Sequence, residues 1–270
     1  YEIPLRLVGS EMCIRDSGGC ISAILITKGV NPFLTLLFAL VGGMLAGLVT
    51  GWLHTKLMIP AILAGILTMI ALWSINIRVM GGPNVSLLGE DTAFTQMMSL
   101  LGVDQTLATL LVGVIIGIIV IAALYWFFGT EIGCALRATG NNEFMVRALG
   151  GNTDTSKVLG LVISNGLISV SGALVAQNQG YGDIKMGTGS IVIGLASIVI
   201  GEVIFGKRFN FAYILASLIG GAIVYRMIIS LVLHLGLSTD DMKLFTAIIV
   251  ALALGIPALK TKYSHRRTPA

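Results

Sequence analysis

Charge is what this sequence has least of. Only 11% of its 270 residues are Asp, Glu, Lys or Arg, against about 25% in a soluble domain, so the chain does not have the composition of a protein surrounded by water. Cysteine is nearly absent too. The three present, Cys13, Cys20 and Cys134, show neither paired nor metal-ligand spacing, and nothing points to a disulfide framework or a metal centre. No catalytic nucleophile, base or metal cluster stands out. His54, His234 and His265 fall in loops or the tail, where an interfacial position explains them. Gly206-Lys207-Arg208 has neither the glycine spacing nor the following Ser/Thr of a phosphate loop. The chain is therefore expected to be no enzyme, to bind no cofactor of its own and to have no nucleic-acid partner.

What is abundant is oil and glycine. Hydrophobic residues make up 56% of the chain and there are 34 glycines, a combination suited to membrane helices. A helix needs about 20 apolar residues to cross the hydrocarbon core. Segments 33–53, 57–79, 106–128, 158–179, 211–233 and 242–259 meet that need, and the shorter 191–206 enters or crosses. The expected fold is all-α, a polytopic helix bundle of six or seven full spans plus a truncated first helix. Strands are not expected, because the apolar runs are long and do not alternate.

The start differs in character. "YEIPLRLVGSEMCIRDS", residues 1–17, is charged and is no signal peptide. "SEMCIRDS" reads like a translated sequencing-adapter remnant, so 1–17 is expected to be a non-native leader; the alternative is a short native one. Residues 18–28 would then be the surviving end of the first helix, and 18–260 the membrane domain.

Lysine and arginine set the orientation. With the 129–157 loop inside, the cytoplasm receives Lys56, Arg137, Arg147, Lys157, Lys207, Arg208, Lys260, Lys262, Arg266 and Arg267. The outside receives Lys28 and Lys185, with Lys243 at its border. The basic tail, 261–270, is then cytoplasmic, and 191–206 must count as a crossing. Gly43, Gly47 and Gly51 form a small-residue ridge, as do Gly113 and Gly117; such ridges let backbones approach closely, in static packing or as a sliding surface. Pro60 is expected in the first turn of its helix.

The central loop has its own logic. In "ALRATGNNEFMVRALGG", residues 135–151, Asn141 or Asn142 can cap a short helix. Glu143 and Arg147 are four apart with the acid first. Phe144, Met145, Ala148 and Leu149 form an apolar stripe, and Gly150-Gly151 stops the helix. Thr153 or Asp154 starts the next one. A two-turn helix is marginal in water, so its stripe needs a receiver: membrane, the rest of the chain, or a partner's groove.

Several polar residues lie in the spans, where a charge costs about 2.5–3.5 kcal/mol on insertion scales. Arg226 and Glu202 either pair or line a route. Asn165, Gln177 and Asn178, with Asn76 and Arg78, serve a route or helix-to-helix hydrogen bonds. "GYGDIKMGTGSIVIG", 180–194, is a candidate gate, irregular backbone being allowed at depth only where protein or a cavity satisfies it.

Residues 133–206, from "GCALRATGNNEFMVRALGG" to "IVIGEVIFG", together with "LHTKLMIPAILAGILTMIALWSINIRVMGGPNVSLL" at 53–88, resemble the permease subunits of bacterial ABC importers. The branch is that of branched-chain amino-acid and ribose-type permeases, and within it tryptophan/tyrosine-type uptake systems. The resemblance covers roughly residues 18–260; the family's first helix is absent or replaced by 1–17. It implies a cytoplasmic coupling segment from Gly140 through Gly150, including Asn141. Phe144, Met145 and Leu149 would be its apolar contacts and Arg137, Glu143 and Arg147 its polar rim. It further implies an ABC ATPase subunit that holds ATP and Mg²⁺, a periplasmic or lipoprotein solute-binding protein, a permease homodimer surrounded by membrane lipid, and an inner-membrane location. As an alternative to the gate, Asp183 and Lys185 could contact the binding protein, as could the acidic 81–105 loop. The implied function is alternating-access import of a small, amino acid-like solute. An ion-coupled secondary transporter would want a buried carboxylate pair and two related halves; a non-transporting scaffold is the other alternative.

Overall fold

The computed structural model describes residues 8–102, 104–187, 190–205 and 211–234. The described helices are α1 (Val8–Thr27), α2 (Pro32–Thr55), α3 (Ala61–Met80), α4 (Ala93–Leu101), α5 (Gln105–Gly129), α6 (Glu131–Asn141), α7 (Glu143–Ala148), α8 (Thr153–Gln179), α9 (Ser190–Phe205) and α10 (Phe211–His234), the long ones α2, α3, α5 and α8 formed by apolar runs with no internal proline. Among the described residues four helices, α2, α3, α5 and α8, are long and apolar enough to cross a membrane. The 16 residues of α9 span about 24 Å at 1.5 Å per residue, short of the roughly 30 Å core. The span expected over 242–259 and the tail lie outside the described residues, as does Gly206-Lys207-Arg208. The chain divides into two compact units, Tyr1–Thr188 and Gly189–Ala270.

In the first unit α8 is the central helix, flanked by α1 and α2. The expected glycine ridge on α2 makes this possible. A Cβ on Gly43 would stand 2.5 Å from Asn165 O, and one on Gly47 2.6 Å from Leu161 O, so only hydrogen fits between the two backbones. The second expected ridge behaves differently: Gly113 and Gly117 on α5 have nothing within 4 Å of a Cβ. The apolar side chains of α5 are largely exposed, as befits a helix whose solvent is lipid.

The first helix is longer than expected. It begins at Val8, not at 18, and residues set aside in the sequence reading pack inside the unit: Cys13, Ile14, Asp16 and Ser17 are buried. Their polar groups are satisfied locally. Asp16 accepts from the Gly187 amide at 2.5 Å, Ser17 donates to Cys13 O at 2.8 Å, and Asn76 Nδ2 donates to Ser17 at 2.9 Å. Hydropathy alone misses such a helix, since the partner that covers Asp16 is distant in sequence.

Other differences are local. Pro60 stands at the cap position before α3 rather than in its first turn; in the irregular segment that precedes it Met58 has φ 51°. Two three-residue strands do form, β1 (Asn84–Ser86) and β2 (Tyr181–Asp183), paired antiparallel with Val85 opposite Gly182. They lie in the connections, not the spans, and with α4 they give 81–102 and 180–187 more order than loops. In the second unit, α9 and α10 pack around Ala196, Ile200 and Tyr225, with Gly221 so near Ser197 O that no Cβ fits.

Candidate functional site

The 129–157 connection holds two helices where one was expected. Thr130 caps α6, accepting from the Gly133 amide at 3.3 Å. Gly140 and Asn141 then belong to the end of α6, and the single residue Asn142 (φ −153°, ψ 98°) breaks the chain. Its side chain accepts from the Met145 amide at 3.1 Å, so of the two expected caps Asn142 is the one used. Gly150 takes φ +83° after the helix; a side chain there would be strained. The next helix is capped by neither Thr153 nor Asp154. Asn152 does it, accepting from the amides of Asp154 and Thr155 at 3.1 and 3.2 Å, and Thr153 is the first helical residue, 1% exposed.

The six-residue α7 buries none of its residues. Phe144 is 85% exposed, Met145 61% and Leu149 77%. The expected stripe thus exists and finds no receiver among the described residues. What holds so short a helix is a polar cluster. Arg147 Nη2 lies 3.4 Å from Glu143 Oε1, the expected pair, and also donates to Thr153 Oγ1 at 2.9 Å and to Asp154 Oδ1 at 3.4 Å. Lys157 Nζ reaches the same Glu143 oxygen at 2.5 Å. The hydrogen bond from Lys157, with the Lys157 and Arg147 charges, holds the Glu143 carboxyl below the usual carboxylate range against a smaller cost of burial. The sequence reading missed this role of Lys157: an ion pair across 14 positions has no periodic signature. Arg137 sits on α6 beside this cluster, where it lines a cavity with Gly140, Glu143 and Lys157.

The span residues separate. Gln177 is 2% exposed and its amide is fully engaged: Nε2 donates to Ser22 Oγ (2.9 Å), Thr35 Oγ1 (3.1 Å) and Pro32 O (3.3 Å), while Oε1 accepts from the Ala93 amide (3.1 Å). It ties four elements together. Asn178 is exposed and meets Thr109 at 3.5 Å. Asn165 is buried, and its Nδ2 has no hydrogen-bond partner. In the second unit Arg226 is exposed on α10, whereas the Glu202 side chain lies outside the described residues. The structure therefore brings Glu143 and Arg147 together, lines one cavity with both Glu143 and Arg137, and leaves Asn165, Gln177 and Asn178 in three different settings along α8. Among the described residues no group of three or more His, Cys, Asp or Glu is placed to hold a metal ion.

Residues 17–256 match the family described as the branched-chain amino acid transport system, permease component. The chain belongs to this family. As such a permease it is an integral inner-membrane protein of helical architecture and a component of ABC-type transport systems, and the relatives that carry a functional name are permeases. It is 39% identical over 233 residues to the tyrosine transport system permease protein of Clostridioides difficile (strain R20291), covering 86% of this permease and 76% of that protein. It is 32% identical over 225 residues to the uncharacterized protein RP368 of Rickettsia prowazekii (strain Madrid E), with 82% and 78% covered. The ribose import permease protein RbsC of Escherichia coli (strain K12) is 27% identical over 170 residues, 62% of this permease and 50% of RbsC. No solved structure matches the chain significantly.

Proposed function

We propose that this permease is driven by a separate ATPase subunit that grips α7, and that two copies enclose the route of a small, amino acid-like solute delivered by an external binding protein. The observation that carries the reading is the exposure of Phe144, Met145 and Leu149 on a helix fastened by Glu143, Arg147 and Lys157 to the first two turns of α8. A displacement of α7 would pass directly into α8, the central helix of the unit. ATP and Mg²⁺ would be held by the partner, and closure of two ATPases would bias the two access states through their differing affinity for each. This requires α7 and the C-terminus on the cytoplasmic side, as the lysine and arginine distribution favours. The solute class follows from the likeness to the tyrosine permease; ribose-type relatives make sugars the second class to test.

Co-purification with the ATPase tests the reading. Phe144→Asp and Leu149→Asp should each abolish retention of the ATPase while leaving the permease monodisperse in detergent. Normal retention by both variants would overturn the docking role of α7.

A further inference from the structure

Two cavities meet at Glu143, the first residue of α7. The larger, about 690 Å³, lies among the start of α3, the end of α5, α6 and the N-terminal half of α8, with Ile62, Leu136 and Leu161 on its walls. The smaller, about 550 Å³, is lined by charged residues that include Arg147 and Asp154, whose side chains are more than half exposed, so water has access to it. Among the described residues four line both cavities: His54, Pro60, Glu143 and Lys157. These four form the neck between them.

The neck has a fixed side and a movable side. On the fixed side His54 Nδ1 donates to Ile59 O at 2.9 Å, which ties the end of α2 to the residue before Pro60. On the movable side Glu143 belongs to a six-residue helix that buries none of its residues, and Lys157 on α8 holds it across the neck at 2.5 Å. Beyond the neck stands Asn165, about 12 Å along α8 from Lys157 at 1.5 Å per residue. It lines the larger cavity, is 2% exposed, and its Nδ2 has no partner. Buried amide donors are nearly always satisfied by protein or by water. A spare donor at that depth marks a cavity that water must reach, and Ser164 on the same wall offers that water a second partner.

We propose that the Glu143–Lys157 pair is a latch across this neck. While it holds, the larger cavity is shut off from the water of the smaller. When α7 moves and takes Glu143 with it, water enters as far as Asn165. The latch needs no net charge: it works because its two side chains come from two different helices, and a partly exposed pair is cheap to break. It deepens the reading of α7 as the driven helix, resting on that reading only for what moves α7; the neck belongs to the chain alone.

The test is the rate at which the cationic reagent trimethylammonioethyl methanethiosulfonate, which does not cross hydrocarbon, labels Ser164→Cys. The full chain is used alone in phosphatidylcholine nanodiscs, with the exposed Cys134 replaced by serine. With the pair intact the rate should be at least ten-fold below that of Thr155→Cys at an exposed position of α8. Glu143→Gln and Lys157→Gln should each raise it at least ten-fold, while the native Cys13 and Cys20, both buried, stay unlabelled. Labelling of Ser164→Cys as fast as Thr155→Cys with the pair intact, or a rate unchanged by both variants, would overturn the latch. So would labelling of Cys13 and Cys20 in the variants, which would mean that the bundle at large had opened. An ATPase lost on Phe144→Asp with no effect here sinks the latch alone; faster labelling here with the ATPase retained sinks the docking alone.

Discussion

Lys157 Nζ lies 2.5 Å from Glu143 Oε1, joining the second turn of α8 to the first residue of α7. Both side chains are less than a third exposed, and the same glutamate also faces Arg147 and Thr153. Through this contact a helix too short to stand alone acquires a fixed position.

Breaking the contact should loosen α7 without unfolding the bundle. For Lys157→Gln we expect an anchoring loss of about 1 kcal/mol, the upper range for a partly exposed pair. A nitroxide at position 145 should become more mobile by electron paramagnetic resonance, while the midpoint of thermal unfolding hardly moves.

The same anchor should weaken in acid. Because the folded Glu143 carboxyl titrates below its ordinary range, the unfolded state binds the proton first as pH falls. The contribution is complete above the unfolded pKa and is lost as pH drops through the folded one. Mobility of the label should therefore rise below the usual glutamate range, and Glu143→Gln should remove that pH dependence.

Capping should matter at Asn142. Replacing it with alanine removes the acceptor for the Met145 amide and should cost α7 about 1 kcal/mol. Faster amide exchange confined to 143–149 is the measurement; exchange unchanged there would deny the cap its role.

Close approach should make the two glycine ridges respond oppositely. Gly47→Ala places a carbon 2.6 Å from Leu161 O, and overpacking of this kind costs about 1–3 kcal/mol. Gly117→Ala meets open space and should leave the thermal midpoint of the isolated chain unchanged.

Removing the Gln177 amide should cost more than removing its neighbour's. Gln177→Leu strands buried donors and acceptors on α1, α2 and α4, at about 1–3 kcal/mol for an unsatisfied group. Asn178→Leu should be near neutral. Denaturant unfolding of the two variants separates them.

Much of this was legible in the residues. The long apolar runs located α2, α3, α5 and α8 to within a few positions, because a bilayer demands uninterrupted hydrocarbon over a fixed length. Stop and start signals around Asn142 and Gly150 located α7, because capping chemistry is local. Helix α1 was read short, since residues 1–17 were set aside as a non-native leader, whereas the structure continues the helix back to Val8. Lys157 was read only as a charge that sets orientation.

The sequence by itself determined that this is a membrane helix bundle with a polar module between two spans. Hydrophobicity, helical period and caps act over a few residues and need no fold to be read. Only the tertiary structure decided what each polar side chain does. It committed Gln177 to four hydrogen bonds, left the Asn165 donor without a partner, and set Lys157 on Glu143. Those outcomes depend on which atoms from distant segments arrive within about 3 Å of one another, a condition that no local pattern encodes.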